Sequence, residues 1–549
     1  MLINKIVSDF ETNVSFYKNN VGIKKVTTVL INNNGFEYKN SFSKGDPLHK
    51  KEQYSQVVPI HSVTKMFTAF LFLIAIQEGK ISLDDMISKY MQDFHLYFNR
   101  INCVNNITFR HLLSHASGLH AEARLGNNYS FETVSFYEHI KSINHSQLKF
   151  IPGEQFSYTN LGYDLTGYCL EKIYNTPLEN LMQEKIFSPM GMFDSTFERY
   201  SYRDKVSIEN LSLIKMAAMK PSCGMYSSIN DLIKFTAMLL NNGFYNNKQI
   251  IKPEILLHMQ KLQFLKTHQR AGYCIGSRKI KAKNISLYSN YGISYDTYLN
   301  ITWVPQNGMA SVFYCNYRNK DSLDKVMRMD PFYNNIWLNS PWCENKKNEA
   351  YITSNYDENI FKPFVGSYIF SDNRLLFIKI ESGKLLFCLD NSKNWIPAKC
   401  LYDEYITFED IITNEIINTY YVKFLRNPDG SKFIIMHSSY FYEILNKNQG
   451  KPSEIQELMG YIGKYYMPLK NDMNIESNIL KKLNRLKLYQ HTIELIDNSL
   501  LLDNTFWLEK VDENMLRKMN GGVIYFEENI AYFENIKYQR KICGNNERE

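Results

Sequence analysis

The sequence predicts a mixed α/β (α+β) domain followed by two small antiparallel β-domains, and three observations carry that expectation. The first is a change of texture near residue 340. Before it, apolar residues recur three and four apart in long patches; after it, short apolar segments alternate with turn residues. The second is an aromatic share of 14%, with 39 tyrosines and 34 phenylalanines, rings that fit a pleated, half-buried surface. The third is length, since 549 residues at roughly 150 per domain give about three or four domains and exclude a single small module. With 44% hydrophobic residues, 22% charged, 25 glycines and 15 prolines, disorder as the dominant state is excluded too.

Taken in chain order, residues 1–11 read as an amphipathic helix whose acidic residues interrupt the apolar stretch of about 7–15 that a signal peptide needs. Residues 25–31 read as a strand. Helices are expected over 62–79, 109–117, 162–174 and 229–242, the last two stopping near Asn175 and at Asn242-Gly243. The apolar run 66–76 is about half the ~20 residues a membrane span needs, so it reads as a buried helix. A strand over 298–304 closes the mixed region, and the polar residues 343–349 form a linker. Beyond it, 375–380, 385–389, 420–424 and 433–437 read as strands of a meander or small barrel, separated by Asp-Asn, Ser-Gly and Asn-Pro-Asp-Gly turns. Phe364-Val365-Gly366-Ser367-Tyr368 is answered by Tyr461-Ile462-Gly463-Lys464-Tyr465 after a second polar stretch, 446–453, which doubles the β-module. The expected domains are 1–340, 350–450 and 455–549.

The charge of +7 over so long a chain, with no run of five like charges, asks for no nucleic acid. The basic residues between Lys481 and Lys487 alternate with leucines and read as one solvated face. Nine scattered cysteines without a Cys-x-x-Cys pair indicate neither a disulfide framework nor a zinc module. A reduced, cytoplasmic protein with no cofactor and no metal is expected. His111 and His115 have the spacing of a metal-binding helical pair, but no Glu follows the first.

Ser62-Val63-Thr64-Lys65 places a hydroxyl and an amine three apart at the start of an apolar helix, on one face. The same spacing recurs at Ser15/Lys18 and Ser322/Lys325, and Tyr158-Thr159-Asn160 is one of several Tyr-x-Asn triplets, so neither motif decides alone. Together with Glu78-Gly79-Lys80, Arg110-His111-Leu112-Leu113-Ser114-His115-Ala116-Ser117-Gly118-Leu119, Pro152-Gly153-Glu154, Pro189-Met190-Gly191-Met192 and Gly224-Met225-Tyr226-Ser227-Ser228, they stand in one order. In that order the chain resembles the serine β-lactamase and penicillin-binding-protein superfamily, class C branch. The resemblance implies a catalytic domain with a central antiparallel sheet and a helical subdomain, here followed by two lipocalin-like barrels, an architecture similar to the D-stereospecific aminopeptidases.

It also implies roles. Ser62 would attack a carbonyl, Lys65 and Tyr158 would share its proton, and Asn160 would orient lysine and substrate. Lysine and tyrosine titrate about three units above neutrality, so poising either near 7 requires on the order of 4 kcal/mol; burial would lower the lysine and its ammonium the tyrosine. The third motif departs from the family pattern: in Asn290-Tyr291-Gly292-Ile293, Asn290 takes the place of the usual Lys or His. Gly292 is kept, and the N–H groups of Ile293 and Ser62 would form the oxyanion hole, which needs no particular side chain. The loss of a cation weakens carboxylate recognition and argues against a standard carboxypeptidase or β-lactamase. The expected partner is a small peptide, amide or ester substrate, with no membrane span and with a homodimer as an allowed assembly. Hydrolysis, acyl transfer to an amine, and a regulatory protein without turnover all stay open at this level.

Overall fold

The computed structural model describes residues 2–17, 23–33, 37–43, 52–98, 101–120, 123, 125–126, 134–149, 151–154, 156–197, 218–263, 271–282, 285–294, 296–317, 326–327 and 329–332, and beyond them 361–369, 375–389, 395–401, 405–413, 416–426, 432–437, 442–447, 463–466, 490–496, 499–502, 506–512, 515–518, 523–527, 530–533 and 536–540. The expected linker 343–349 and the basic stretch 481–487 lie outside them.

The first part of the chain is built on a seven-stranded antiparallel sheet. Its strands are β1 (Ile23–Asn32), β2 (Glu37–Ser43), β3 (Ala271–Tyr273), β4 (Arg278–Ala282), β5 (Ile285–Ile293), β6 (Thr297–Val304) and β7 (Met309–Tyr317), in the order β3-β4-β5-β6-β7-β1-β2. All 200-odd residues between β2 and β3 are therefore one insertion, and it carries most of the helices. β6 is buried along its whole length, and its period of two sorts it: Leu299, Ile301 and Trp303 join one core while Tyr298 and Val304 join two others. The tight turn from β6 to β7 uses Gly308 at φ +57°.

Helices cover the two faces. On one side lies α1 (Leu2–Tyr17), the amphipathic helix expected at the start, with Phe10 edge-on to Tyr38 and Phe313 at ring distances of 6.4 Å. On the other lies α2 (Thr64–Gln77), buried all round as its uninterrupted apolar sequence requires. α3 (Phe109–Leu113), α4 (Phe136–Ile143), α5 (Leu161–Tyr174), α6 (Lys220–Cys223) and α7 (Ile229–Leu240) complete the helical layer. Asn175 ends α5 in the left-handed conformation, and Ser228 caps α7 by accepting the Asp231 N–H, as the composition of those ends predicts. The helix expected over 109–117 is shorter: it stops at Leu113, because His115 takes φ +60° and Gly118 φ +79°. No helix among the described residues is long and apolar enough to cross a membrane.

Past the 3-10 turn Lys362–Phe364, the described elements are all strands. From Gly366–Ile369 to Tyr442–Lys447, nine strands pair in one antiparallel sheet whose two end strands, Ile396–Pro397 and Lys399–Leu401, are neighbours in sequence. Its described core gathers Phe364, Tyr368, Leu376, Ile378, Leu385, Phe387 and Val422. From Gly463–Tyr466 to Ile536–Arg540, eight strands pair into a closed ring. Gly366 and Gly463, the matching glycines of the sequence repeat, each open the first strand of their sheet.

Candidate active site

Val57–Pro59 pairs with Tyr226–Ser228, and the chain then turns through one 3-10 turn, His61–Val63, directly into α2. Ser62 sits in that turn. His61, just before it, has φ +48°, a left-handed conformation that costs a non-glycine residue roughly 1–3 kcal/mol. A buried hydrogen bond between His61 Nε2 and Thr297 Oγ1, 2.9 Å, ties the strained turn to the first residue of β6. Burial pushes the His61 imidazole down to about 4. A depressed folded-state value stabilises the fold above the unfolded value near 6.5, and that share is lost as the pH falls toward 4. Urea titrations at pH 7 and pH 4 are expected to show wild type losing about 3 kcal/mol more than His61→Asn; equal losses would mean His61 does not contribute.

Lys65, one turn into α2, is fully buried. Its Nζ lies 3.1 Å from Ser62 Oγ, 2.7 Å from Asn160 Oδ1 and 3.0 Å from the Ser222 carbonyl oxygen, so each of its hydrogen-bonding directions is used. The Tyr158 ring centroid is 5.0 Å away. Burial pulls the ammonium down, but the fields of Tyr158, Cys223 and Asp164 and a hydrogen bond with Tyr158 outweigh it, and the net shift is upward from 10.5. This reverses the expectation that desolvation would carry Lys65 toward neutrality, because the groups whose fields favour its charge lie close beside it. Ser222 is also held through its N–H, which Asp164 Oδ1 accepts at 3.1 Å, while Asp164 Oδ2 meets His139 Nε2 at 3.1 Å.

Tyr158 and Asn160 come from the irregular segment before α5. Asn160 stands at the head of that helix, its Nδ2 facing Met219 Sδ at 3.9 Å. Tyr158 is half-buried, its ring against that of His115 at 4.4 Å.

The third motif lies on β5. Gly292 passes so close to the turn that carries Ser62 that a Cβ there would sit 2.3 Å from the Ile60 carbonyl oxygen and 3.0 Å from His61 Cβ. Ile293 is paired with Tyr298, and the next residue, Ser294, donates its N–H to the Thr297 carbonyl at 2.8 Å. Antiparallel alternation therefore turns the Ile293 N–H away from β6. Asn290 is buried, and its Nδ2 donates to the Gly276 carbonyl at 3.1 Å, holding the turn between β3 and β4. Its amide thus serves a hairpin.

Every site residue expected from the sequence falls in this one region. Sequence reasoning missed three others. The Ser222 carbonyl leaves no side-chain signal. Arg278 on β4 stacks its guanidinium 4.3 Å over the Tyr291 ring; burial lowers its affinity for the proton, yet the fields of Tyr291, Tyr273 and Tyr158 raise it overall. His115, noticed only for its spacing from His111, is separate from it: His111 Nδ1 accepts the Thr108 N–H in a capping box.

A sequence model of the family described as Beta-lactamase matches residues 23–327. Over 180 residues the chain is 27% identical to Protein flp of Staphylococcus aureus (strain COL), covering 32% of this chain and 36% of that one. Over 226 residues it is 29% identical to the D-alanyl-D-alanine-carboxypeptidase/endopeptidase AmpH of Escherichia coli (strain K12), covering 39% of this chain and 57% of that one. Each match thus spans less than two thirds of the relative. Among solved structures, SurE with D-Leu gives a TM-score of 0.53 at 15% identity, over 81% of this chain and 99% of that one. The D-amino acid amidase from Ochrobactrum anthropi SV3 complexed with L-phenylalanine amide gives 0.48 at 18% identity, over 61% and 99%.

Proposed function

Since the chain belongs to the β-lactamase family, we propose that it is a serine hydrolase that forms an acyl-enzyme on Ser62 and cleaves amide or ester bonds of small peptides, D-residue peptides among them. The observation that carries this reading is the buried Lys65 Nζ in contact with Ser62 Oγ, Asn160 Oδ1 and the Ser222 carbonyl at 2.7–3.1 Å, with Tyr158 against it. With Lys65 held as an ammonium beside it, Tyr158 acts as the general base that accepts the Ser62 proton. Ser62 Oγ bonds to the substrate carbonyl carbon, and the resulting oxyanion is received by the N–H groups of Ser62 and Ile293. The bond to the leaving amine or alkoxide breaks as Tyr158 returns the proton to it, and water then releases the acyl group by the same steps.

The cation absent at Asn290 is provided in this reading by Arg278, which faces the carboxylate of an acidic or free-terminal substrate. AmpH, named for action on D-alanyl-D-alanine, supports the D-residue preference. We assign the chemistry to 1–340 and read 350–450 and 455–549 as two β-barrel modules that frame the cleft entrance; the likeness in fold to SurE, which reaches past the family match to 81% of the chain, supports only the presence of further modules beyond the family domain. Cys169, Cys274 and Cys315, buried as thiols, suit action in the reducing cytoplasm.

A fluorophosphonate probe is expected to label wild type and not Ser62→Ala. A panel of D- and L-aminoacyl p-nitroanilides and p-nitrophenyl esters should show turnover only with wild type, faster for D-residues. Absence of labelling and of turnover above the Ser62→Ala background would remove the enzyme reading; an ester rate with no amide rate would reduce it to an esterase. Arg278→Met should raise KM at least tenfold for substrates with a free carboxylate and leave neutral esters unchanged.

A further inference from the structure

His115 holds the segment that carries Tyr158 at three points. Its carbonyl oxygen accepts the Ser157 N–H at 2.8 Å, its Nδ1 accepts the Thr159 N–H at 3.2 Å, and its ring lies against the Tyr158 ring at 4.4 Å. The residues on both sides of Tyr158 are thereby anchored to one residue, which is not exposed at all.

Two local costs fall on that residue. Its backbone stands at φ +60°, a left-handed conformation that strains a non-glycine residue. Because Nδ1 is an acceptor, the neutral ring carries its proton on Nε2, and that buried nitrogen has no hydrogen-bond partner among the described residues, an unrepaid loss of solvation. An apolar side chain would fill the space without the second cost. Retention of the imidazole therefore points to what only it provides here, a flat ring with an acceptor at Nδ1. The groups around it are Lys65 and Arg278, whose charges repel an imidazolium, and Tyr158, Tyr163 and Tyr273, whose rings enclose it. Burial first, then those two cations, keep it neutral well below 6.5, so Nδ1 stays an acceptor across the working range.

We propose that His115 is the positioning residue for Tyr158, fixing the phenol against Lys65 through the Thr159 N–H and the ring face. The proposal rests on Tyr158 being the proton carrier. Displacing a catalytic group by about 1 Å costs about 10²-fold.

The test measures inactivation of the full chain by a fluorophosphonate in wild type, Tyr158→Phe, His115→Ala and His115→Asn. Rates are referred to the fraction of Ser62 finally labelled, so that lost fold changes the amplitude and not the rate. Asn tolerates the left-handed backbone and keeps an acceptor but no ring. His115→Ala is expected to lower kinact about 10²-fold with KI within twofold and to shift the pH midpoint of kinact. His115→Asn should recover at least threefold of that loss, and it decides alone if His115→Ala yields no labelled protein. A His115→Ala rate and pH midpoint equal to wild type, with Tyr158→Phe strongly impaired, would overturn the positioning role alone. A Tyr158→Phe rate and midpoint equal to wild type would remove the proton-carrier role and this inference with it.

Discussion

Lys65→Met is expected to lower kcat on any accepted substrate by about 10³–10⁴-fold, the upper range for loss of a positioned proton-transfer group. Methionine nearly matches the volume of the buried stem, so the packing around α2 should survive, but Ser62 Oγ, Asn160 Oδ1 and the Ser222 carbonyl would lose their common partner. Fluorophosphonate labelling of Ser62 should slow in parallel, since its hydroxyl would no longer be oriented. A variant retaining more than a tenth of wild-type kcat would remove Lys65 from the machinery. Stability offers an independent reading of the same charge. The folded-state value of Lys65 is raised above 10.5, so its contribution is complete below that pH and is lost as the pH rises through the folded value. The difference in unfolding free energy between wild type and Lys65→Met, measured in urea, should therefore be constant from pH 7 to 10 and move against wild type above about 10.5. A constant difference at pH 11 would contradict the raised value.

Gly292→Ala should be nearly as damaging, for a reason that involves no functional group. Its new methyl would lie 2.3 Å from the Ile60 carbonyl oxygen, which is backbone and cannot swing aside. Relief of that overlap opens β5 from the nucleophile turn by about 1 Å, and the Ile293 and Ser62 N–H groups move apart. Loss of one oxyanion donor costs about 10²–10³-fold in kcat. The expected result is that loss in ester hydrolysis, with only a modest fall in melting temperature. Gly79→Ala is the control: it has positive φ but nothing within 4 Å of its Cβ, so it should cost about 1 kcal/mol of stability and no activity. Equal activity of the two variants would separate Gly292 from the oxyanion hole.

The segments that meet at the candidate site were legible in the sequence because each depends on side-chain type at fixed spacing. Ser62, in the 3-10 turn, and Lys65, in the helix it leads into, are three apart, and Tyr158 and Asn160 precede the apolar repeat of α5. Gly292 was legible as a retained glycine, although the reason for it, the Ile60 carbonyl, was not. What escaped depends on backbone atoms and on long-range geometry. The Ser222 carbonyl reaches Lys65 across 157 positions and could be any residue's carbonyl. The left-handed turns at His61 and His115 have no glycine to announce them, and the second shortened the helix expected over 109–117. Charge was misjudged at Lys65 for the same reason, since its field comes from residues up to 158 positions away that no local pattern assembles. Strand segments of the β-rich half were legible from alternation and turns, whereas their pairing order, with Gly366–Ile369 beside Tyr442–Lys447, is a matter of topology.

The strand order carries a consequence for how the chain must be made. β1 lies inside the sheet between β2 and β7, with pairs such as Val29 and Val312 about 280 positions apart. Synthesis at about 5–20 residues per second leaves roughly 15–55 s between the emergence of β1 and that of β7. Closing a loop of that length costs on the order of 5 kcal/mol before any contact repays it. During that interval β1 has an open edge and apolar faces exposed, the condition under which strands pair with the wrong neighbour. β2 can cover one edge at once, and Ile6 and Phe10 of α1 can shelter one face, but the β7 edge must wait. Refolding of the full chain should accordingly be slow and should lose yield as protein concentration rises.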